Sequence, residues 1–304
     1  MPQRLICVLL LLSLCACKPT EEGHMKAIIG AVLLDGLGGP PLSDSVVVVA
    51  GEHIREAGAR STVMIPAEAD KINGSGKILI PSPIDVYARA AADAARFTAG
   101  NPGSADAARA RVAQLASQKA GALHIWKLEP AVAQAALEAA RDAGIQAVGH
   151  VSTQADARFL VDNGVAGFVG MITGAETLDP AFLARMRDLH VFFAPALVTA
   201  GSQLEAAKRN TLRLFTAGVP IAVASDGAAF NREAELLVEA GIPPLDVIVA
   251  ATRNGAAALR RLDQTGTIQA GKRADLLLLS ANPGEDIRNL SRVALRMSAG
   301  EWVK

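Results

Sequence analysis

The spacing of apolar and polar positions divides the chain into stretches of different character. Between residues 26 and 80 the apolar positions come in short runs, at 27–34, 45–50 and 77–80, separated by the turn-rich segment 35–41. Runs of that length bounded by Gly and Pro predict β-strands, and Gly51-Glu52-His53 predicts a hairpin turn between 46–49 and 54–57. From residue 81 onward, helix and strand patterns alternate. Ser104 opens an Ala-rich helix that ends before Gly121, and Pro130 opens another that Gly144 closes. Ser152 or Thr153 caps a third before Gly164, and Asp179-Pro180 starts a fourth. Apolar runs at 123–128, 145–149, 165–171, 191–194 and 219–224 lie among these helices, the signature of parallel βαβ units. After a last helix over 244–262, strand character returns at 266–268, 274–280, 293–297 and 301–303. Both ends of the chain therefore read as β, which predicts one small sheet domain built from the two termini beside an α/β body.

The stretch 78–89 joins the two. Its apolar run suits a buried strand, and beyond Pro81 and Pro83 period-two alternation places Asp85, Tyr87 and Arg89 on one face and Ile84, Val86 and Ala88 on the other. Carboxyl ends of parallel strands are where α/β proteins build sites, so these three polar groups are the first candidates for chemistry. The glycines of 35–42 lack both the spacing and the following helix of a dinucleotide-binding loop and read as a turn.

Composition narrows the function classes. With 51% hydrophobic residues and a mean hydropathy of +0.28 the chain must bury a sizeable core. Thirty basic residues balance thirty acidic ones, leaving no excess of positive charge for nucleic-acid binding. The first residues change the picture more. Arg4 precedes an apolar run over 5–16 that is too short to span a bilayer and reads as an export signal. It ends in Leu14-Cys15-Ala16-Cys17, which resembles a bacterial lipobox and implies cleavage before Cys17 and lipid attachment to its thiol; an ordinary signal peptide cut nearby is the alternative. The expectation is a lipid-anchored protein of the bacterial cell envelope facing the periplasm, with Lys18 pointing to the outer membrane by analogy. All three cysteines (Cys7, Cys15, Cys17) lie in this leader, so the body offers neither a disulfide nor a thiol nucleophile.

Three strings carry a family resemblance. ATRNGAAAL at 251–259 with GTIQAGKRADLLLLSANP at 266–283, and GSGKILIPSPID at 74–85, resemble the amidohydrolase superfamily in its imidazolonepropionase-like and prolidase-like branch. The resemblance implies a TIM-like (β/α) barrel with a composite β-sandwich, and metal-dependent hydrolysis of C–N bonds in amides, cyclic amides or dipeptides. Together with the leader, it divides the chain into a signal peptide (1–16), a lipidated tether (17–24), a β-sandwich (25–80 with 264–304) and a barrel (81–263). Six barrel strands are countable, so the barrel is expected to be incomplete, with the family's second and third strands missing between Arg89 and Ala105. An open seam would favour irregular closure or association with a second copy.

Carried over by position, the family's metal site is depleted. Its paired histidines fall on Tyr87 and Arg89, which cannot replace neutral imidazoles at a metal. Its carboxylated lysine falls on His124, the preferred alignment, or is displaced to Lys127, which would lie in the barrel wall or pair with Glu129 or Asp142. The strand-five histidine is kept as His150, the strand-six histidine falls on Gly170, and the strand-eight aspartate is kept as Asp226. His124, His150 and Asp226 could supply three ligands to one zinc or other divalent metal. Without metal, Asp226 and His150 could act as base and orienter, with Tyr87 or Arg89 stabilising an oxyanion. The open readings are thus a hydrolase with a reduced site and a silent relative that binds a small molecule or serves a structural role.

Overall fold

The computed structural model describes residues 24–87, 94–97, 101–174, 177–225 and 229–303. In chain order, β1 (Met25–Leu33), β2 (Leu42–Ala50) and β3 (His53–Ala59) form an antiparallel meander. β4 (Asp70–Asn73) and β5 (Ile78–Pro81) then pair parallel to the two halves of β1. The barrel strands follow: β6 (Ala94–Phe97), β7 (Ala122–Trp126), β8 (Gln146–Val151), β9 (Gly167–Gly170) and β10 (Phe192–Ala194). All five pair in parallel, in sequence order. Between and after them run α1 (Ala105–Ser117), α2 (Pro130–Asp142), α3 (Gln154–Asp162), α4 (Pro180–Asp188), α5 (Leu204–Thr216) and α6 (Phe230–Glu239). The chain closes with α7 (Pro244–Val249), a π-helical turn at Ala250–Asn254, and α8 (Gly255–Ala258). Finally β11 (Leu276–Leu279), β12 (Val293–Ser298) and β13 (Glu301–Val303) extend the terminal sheet from β5, giving the order β13-β12-β11-β5-β1-β2-β3.

The caps are where side-chain chemistry demands them. Ser104 Oγ accepts from Ala107 N at 3.2 Å, Thr153 Oγ1 from Asp156 N at 3.2 Å and an Asp179 carboxylate oxygen from Ala181 N at 2.8 Å. Each satisfies an amide left without an intrahelical partner. The cap of α3 is therefore Thr153, not Ser152. Residues 266–268 are not a strand; Ile268 N instead donates to Asp35 O at 2.9 Å, tying the C-terminal return to the first turn.

The barrel wall continues past β10. Phe193 forms a parallel bridge with Ile221, and Val86 N donates to Val223 O at 3.0 Å, so residues 221–223 and 84–86 add two short staves. The six expected strands are thus joined by a seventh, β6, inside the interval read from sequence as a deletion. The junction between Tyr87 and β6 lies among residues outside the described set. Inside this curved wall, Val86, Val148, Val169, Phe192, Ala194, Ala222 and Ala224 form an apolar plug. Outside it, Leu123, Ile125, Phe168 and Phe193 pack under the helices. Gly167 is required within the wall, because a Cβ there would sit 2.3 Å from the Phe192 ring. A separate cluster of Ile28, Val47, Leu79, Leu278 and Met297 holds the terminal sheet.

Candidate functional site

Register decides which residues reach the barrel mouth. On β7 and β8, His124 pairs with Val148 and Trp126 with His150. Val148 belongs to the interior plug, and side chains two apart share a face, so His124, Trp126 and His150 point inward at the carboxyl ends of their strands. There they touch. His124 Nδ1 and His150 Nε2 lie 2.8 Å apart, and the His124 side chain is 1% exposed. The Trp126 ring stacks on His150 with centroids 3.6 Å apart and planes 13° from parallel, and the Tyr87 ring meets His150 edge-on at 6.2 Å.

The first strand departs from the predicted alternation. Val86 and Tyr87 already have helical backbone, and Asp85 Oδ1 accepts from Tyr87 N at 2.9 Å in the manner of an N-cap. Val86 consequently turns into the barrel plug, and Tyr87 reaches the edge of that plug. Asp85 faces Ser225, accepting from its backbone N at 3.1 Å and its Oγ at 2.5 Å. Arg89 and Asp226 lie outside the described residues, as does Cys17. Lys127 leaves β7 with φ +43° and lines the cavity described below, while Asp142 pairs with Arg141 rather than with it. Gly170 has φ +128°, and the inward residue beside His150 on β9 is Val169. Of the remaining histidines, His24 bonds the Asp70 carboxylate at 2.6 Å and His190 Nδ1 lies 3.3 Å from the Asp188 carbonyl, both exposed.

Sequence reasoning missed Glu233. It projects from α6 into the protein with no exposed surface, and its two oxygens accept from Leu197 N at 2.9 Å and Val198 N at 2.8 Å. Burial pushes its carboxyl up to about 8; the two amide donors oppose that, and the nearby Asp85 carboxylate adds to it. A charged residue on a helix face that otherwise buries Ala234, Leu236 and Leu237 was the available signal.

A cavity of about 710 Å³ opens beside the aromatic cluster, between the carboxyl ends of β7, β8 and β9 and the starts of α2 and α3. Trp126, His150 and Phe159 supply aromatic surface, Lys127, Ser152 and Thr173 supply polar groups, and Ala200 and Gln203 close one side. Such a mostly apolar concavity with a few convergent polar groups suits a small organic molecule.

The described part of the sequence-derived metal trio does not fit a metal. Two imidazoles that share one ion aim lone pairs at it, whereas nitrogens facing each other at 2.8 Å share a proton. Val169 and Gly170 add no donor beside them, and no group of three His, Cys, Asp or Glu side chains converges among the described residues.

Known proteins resemble the chain in sequence and in fold. The model of the Amidohydrolase family matches residues 104–303. An imidazolonepropionase of Cutibacterium acnes is 42% identical over 77 residues, 23% of this chain and 19% of that protein. A 5-methylthioadenosine/S-adenosylhomocysteine deaminase of Moorella thermoacetica is 33% identical over 81 residues, 22% of this chain and 19% of that protein. The chain thus matches about a fifth of the length of these curated relatives. A solved Xaa-Pro dipeptidase with bound methionine in the active site superposes with a TM-score of 0.78 at 16% identity, covering 92% of this chain and 100% of that one. The A. niger ochratoxinase does so with a TM-score of 0.78 at 15% identity, covering 93% and 96%. These structures share the TIM-like barrel with its β-sandwich, and with a family match spanning about two thirds of its length the chain belongs to the amidohydrolase family.

Proposed function

We propose that this chain is a small-molecule-binding member of the amidohydrolase family, taking its ligand in the cavity at the barrel mouth without a metal held by His124 and His150. The observation that supports the reading is the hydrogen bond between those two histidines beneath the Trp126 ring. It takes up one nitrogen of each ring, and it leaves an aromatic surface facing a largely apolar space. We further propose that the protein works from the cell envelope, tethered through Cys17.

The alternative is hydrolysis of an amide or cyclic amide C–N bond, with Asp226 as base, His150 as orienter and Tyr87 stabilising the oxyanion. The edge of Tyr87 beside His150 favours it. Assays on N-acyl amino acids, dipeptides and hydantoin-like rings, each with and without added zinc, separate the two. Binding without turnover is expected. Zinc-stimulated turnover lost in His150→Ala would overturn the proposal.

A further inference from the structure

A second cavity, of about 350 Å³, opens where the terminal sheet meets the barrel, and it shares no lining residue with the one beside Trp126. Strand pairing explains its charge. Arg296 on β12 stands directly opposite Leu277 on β11, and opposed residues share a face of the sheet. Leu277 packs into the core under the barrel helices, so Arg296 lies on the barrel-facing side of the sheet. Arg261 lines the same cavity from just beyond the end of α8, and Arg273 from the approach to β11.

Three guanidinium groups drawn from separate segments repel one another unless something offsets them. Asp275 is the one carboxylate on the lining, and it is already engaged. One of its oxygens faces Arg273 Nε at 3.3 Å, and the other accepts from Ala299 N at 2.8 Å and Ser298 Oγ at 3.4 Å. Asp263, close to Arg261 in sequence, acts on Lys272. Among the described residues, neither Arg261 nor Arg296 has a carboxylate within ion-pair reach. The cavity thus carries three arginines against one aspartate, an excess of two positive charges in a chain whose net charge is zero.

We propose that this cavity binds a phosphate-type dianion, either inorganic phosphate or a small phosphomonoester, between Arg261 and Arg296, with the Thr265 hydroxyl on the same lining. The planar fork of a guanidinium gives two parallel N–H donors to one pair of oxygens. A carboxylate has a single pair and is satisfied by one arginine. A tetrahedral phosphate keeps oxygens for a second arginine and for a hydroxyl, and its charge of about −2 matches the local excess. The site stands apart from the barrel mouth, so it holds whether or not the chain hydrolyses anything there.

The test is a calorimetric titration of the full chain with sodium phosphate at about pH 8, at constant ionic strength set with chloride. One phosphate per chain is expected, with binding weakened about tenfold or more in Arg261→Gln and in Arg296→Gln. Both side chains are exposed, so both variants should fold. Arg109→Gln, on α1 and paired with Asp106, leaves the affinity unchanged. Dimethyl phosphate, a monoanion that mimics the diester of a lipid headgroup, and acetate are each expected to bind about tenfold more weakly than phosphate. Equal or tighter binding of either would overturn the assignment to a dianion, and dimethyl phosphate would then point to a lipid as the source. No binding at about 10 mM phosphate, or binding that both arginine variants leave unchanged, would overturn the proposal altogether.

Discussion

His124 and His150 stand on adjacent parallel strands and join side chain to side chain, Nδ1 to Nε2, at 2.8 Å. With Trp126 stacked on the second ring, the pair forms a closed aromatic and imidazole cluster where α/β barrels normally present reactive groups. The bond is buried on the His124 side, so removing one partner deletes a buried hydrogen bond. His150→Ala should lower stability by about 1–3 kcal/mol, and a double-mutant cycle with His124→Ala should return a coupling of about 0.5–1.5 kcal/mol, measured by urea unfolding. A coupling near zero would mean that the two rings merely touch.

Overpacking tests the barrel interior. Gly167→Ala places a methyl into the Phe192 ring and should cost about 1–3 kcal/mol. Gly144→Ala meets no neighbour but has φ +70°, so its cost should come from backbone strain alone, at about 1 kcal/mol. Relief by the pair Gly167→Ala with Phe192→Leu would confirm that the clash is with that ring.

The buried Glu233 predicts a global pH dependence, read by denaturant unfolding. Its carboxyl is raised from 4.5 to about 8, so its contribution is fully present below about 4.5 and lost as pH rises through about 8. Relative to Glu233→Gln, the wild type should lose about 2–4 kcal/mol between about pH 5 and about pH 9. Equal pH profiles for the two proteins would show that the acid is hydrated in the native state.

Anchoring is tested on the chain made in a bacterial host. If Cys17 carries lipid, the mature protein begins at that residue, partitions with membranes and has a mass increased by acyl chains. Cys17→Ala should then appear in the soluble fraction. A soluble, unmodified wild type would leave the ordinary signal peptide as the correct reading.

Much of the fold was legible because its signals are local. Caps at Ser104 and Asp179, Pro130 at a helix start and short apolar runs place most helices and strands where the structure has them. β6 was not legible: Ala94–Phe97 is four residues, and its strand character comes from pairing with β7 rather than from its own pattern. The alternation drawn through 84–89 broke for a local reason as well, since Asp85 caps a helical turn and so rotates Val86 inward. At the site, the shared face of His124 and Trp126 followed from period two alone. The contact of both with His150 depends on the register between β7 and β8, which no single strand encodes. Glu233 escaped notice because its partners, Leu197 and Val198, contribute backbone amides that leave no trace in side-chain chemistry.

The most direct test of the central claim is the zinc stoichiometry of the purified chain, measured by elemental analysis after equilibration with the metal and removal of the excess. The account expects substoichiometric zinc that His124→Ala and His150→Ala leave unchanged. One equivalent per chain, lost in either variant, would contradict it and restore metal chemistry to the barrel mouth.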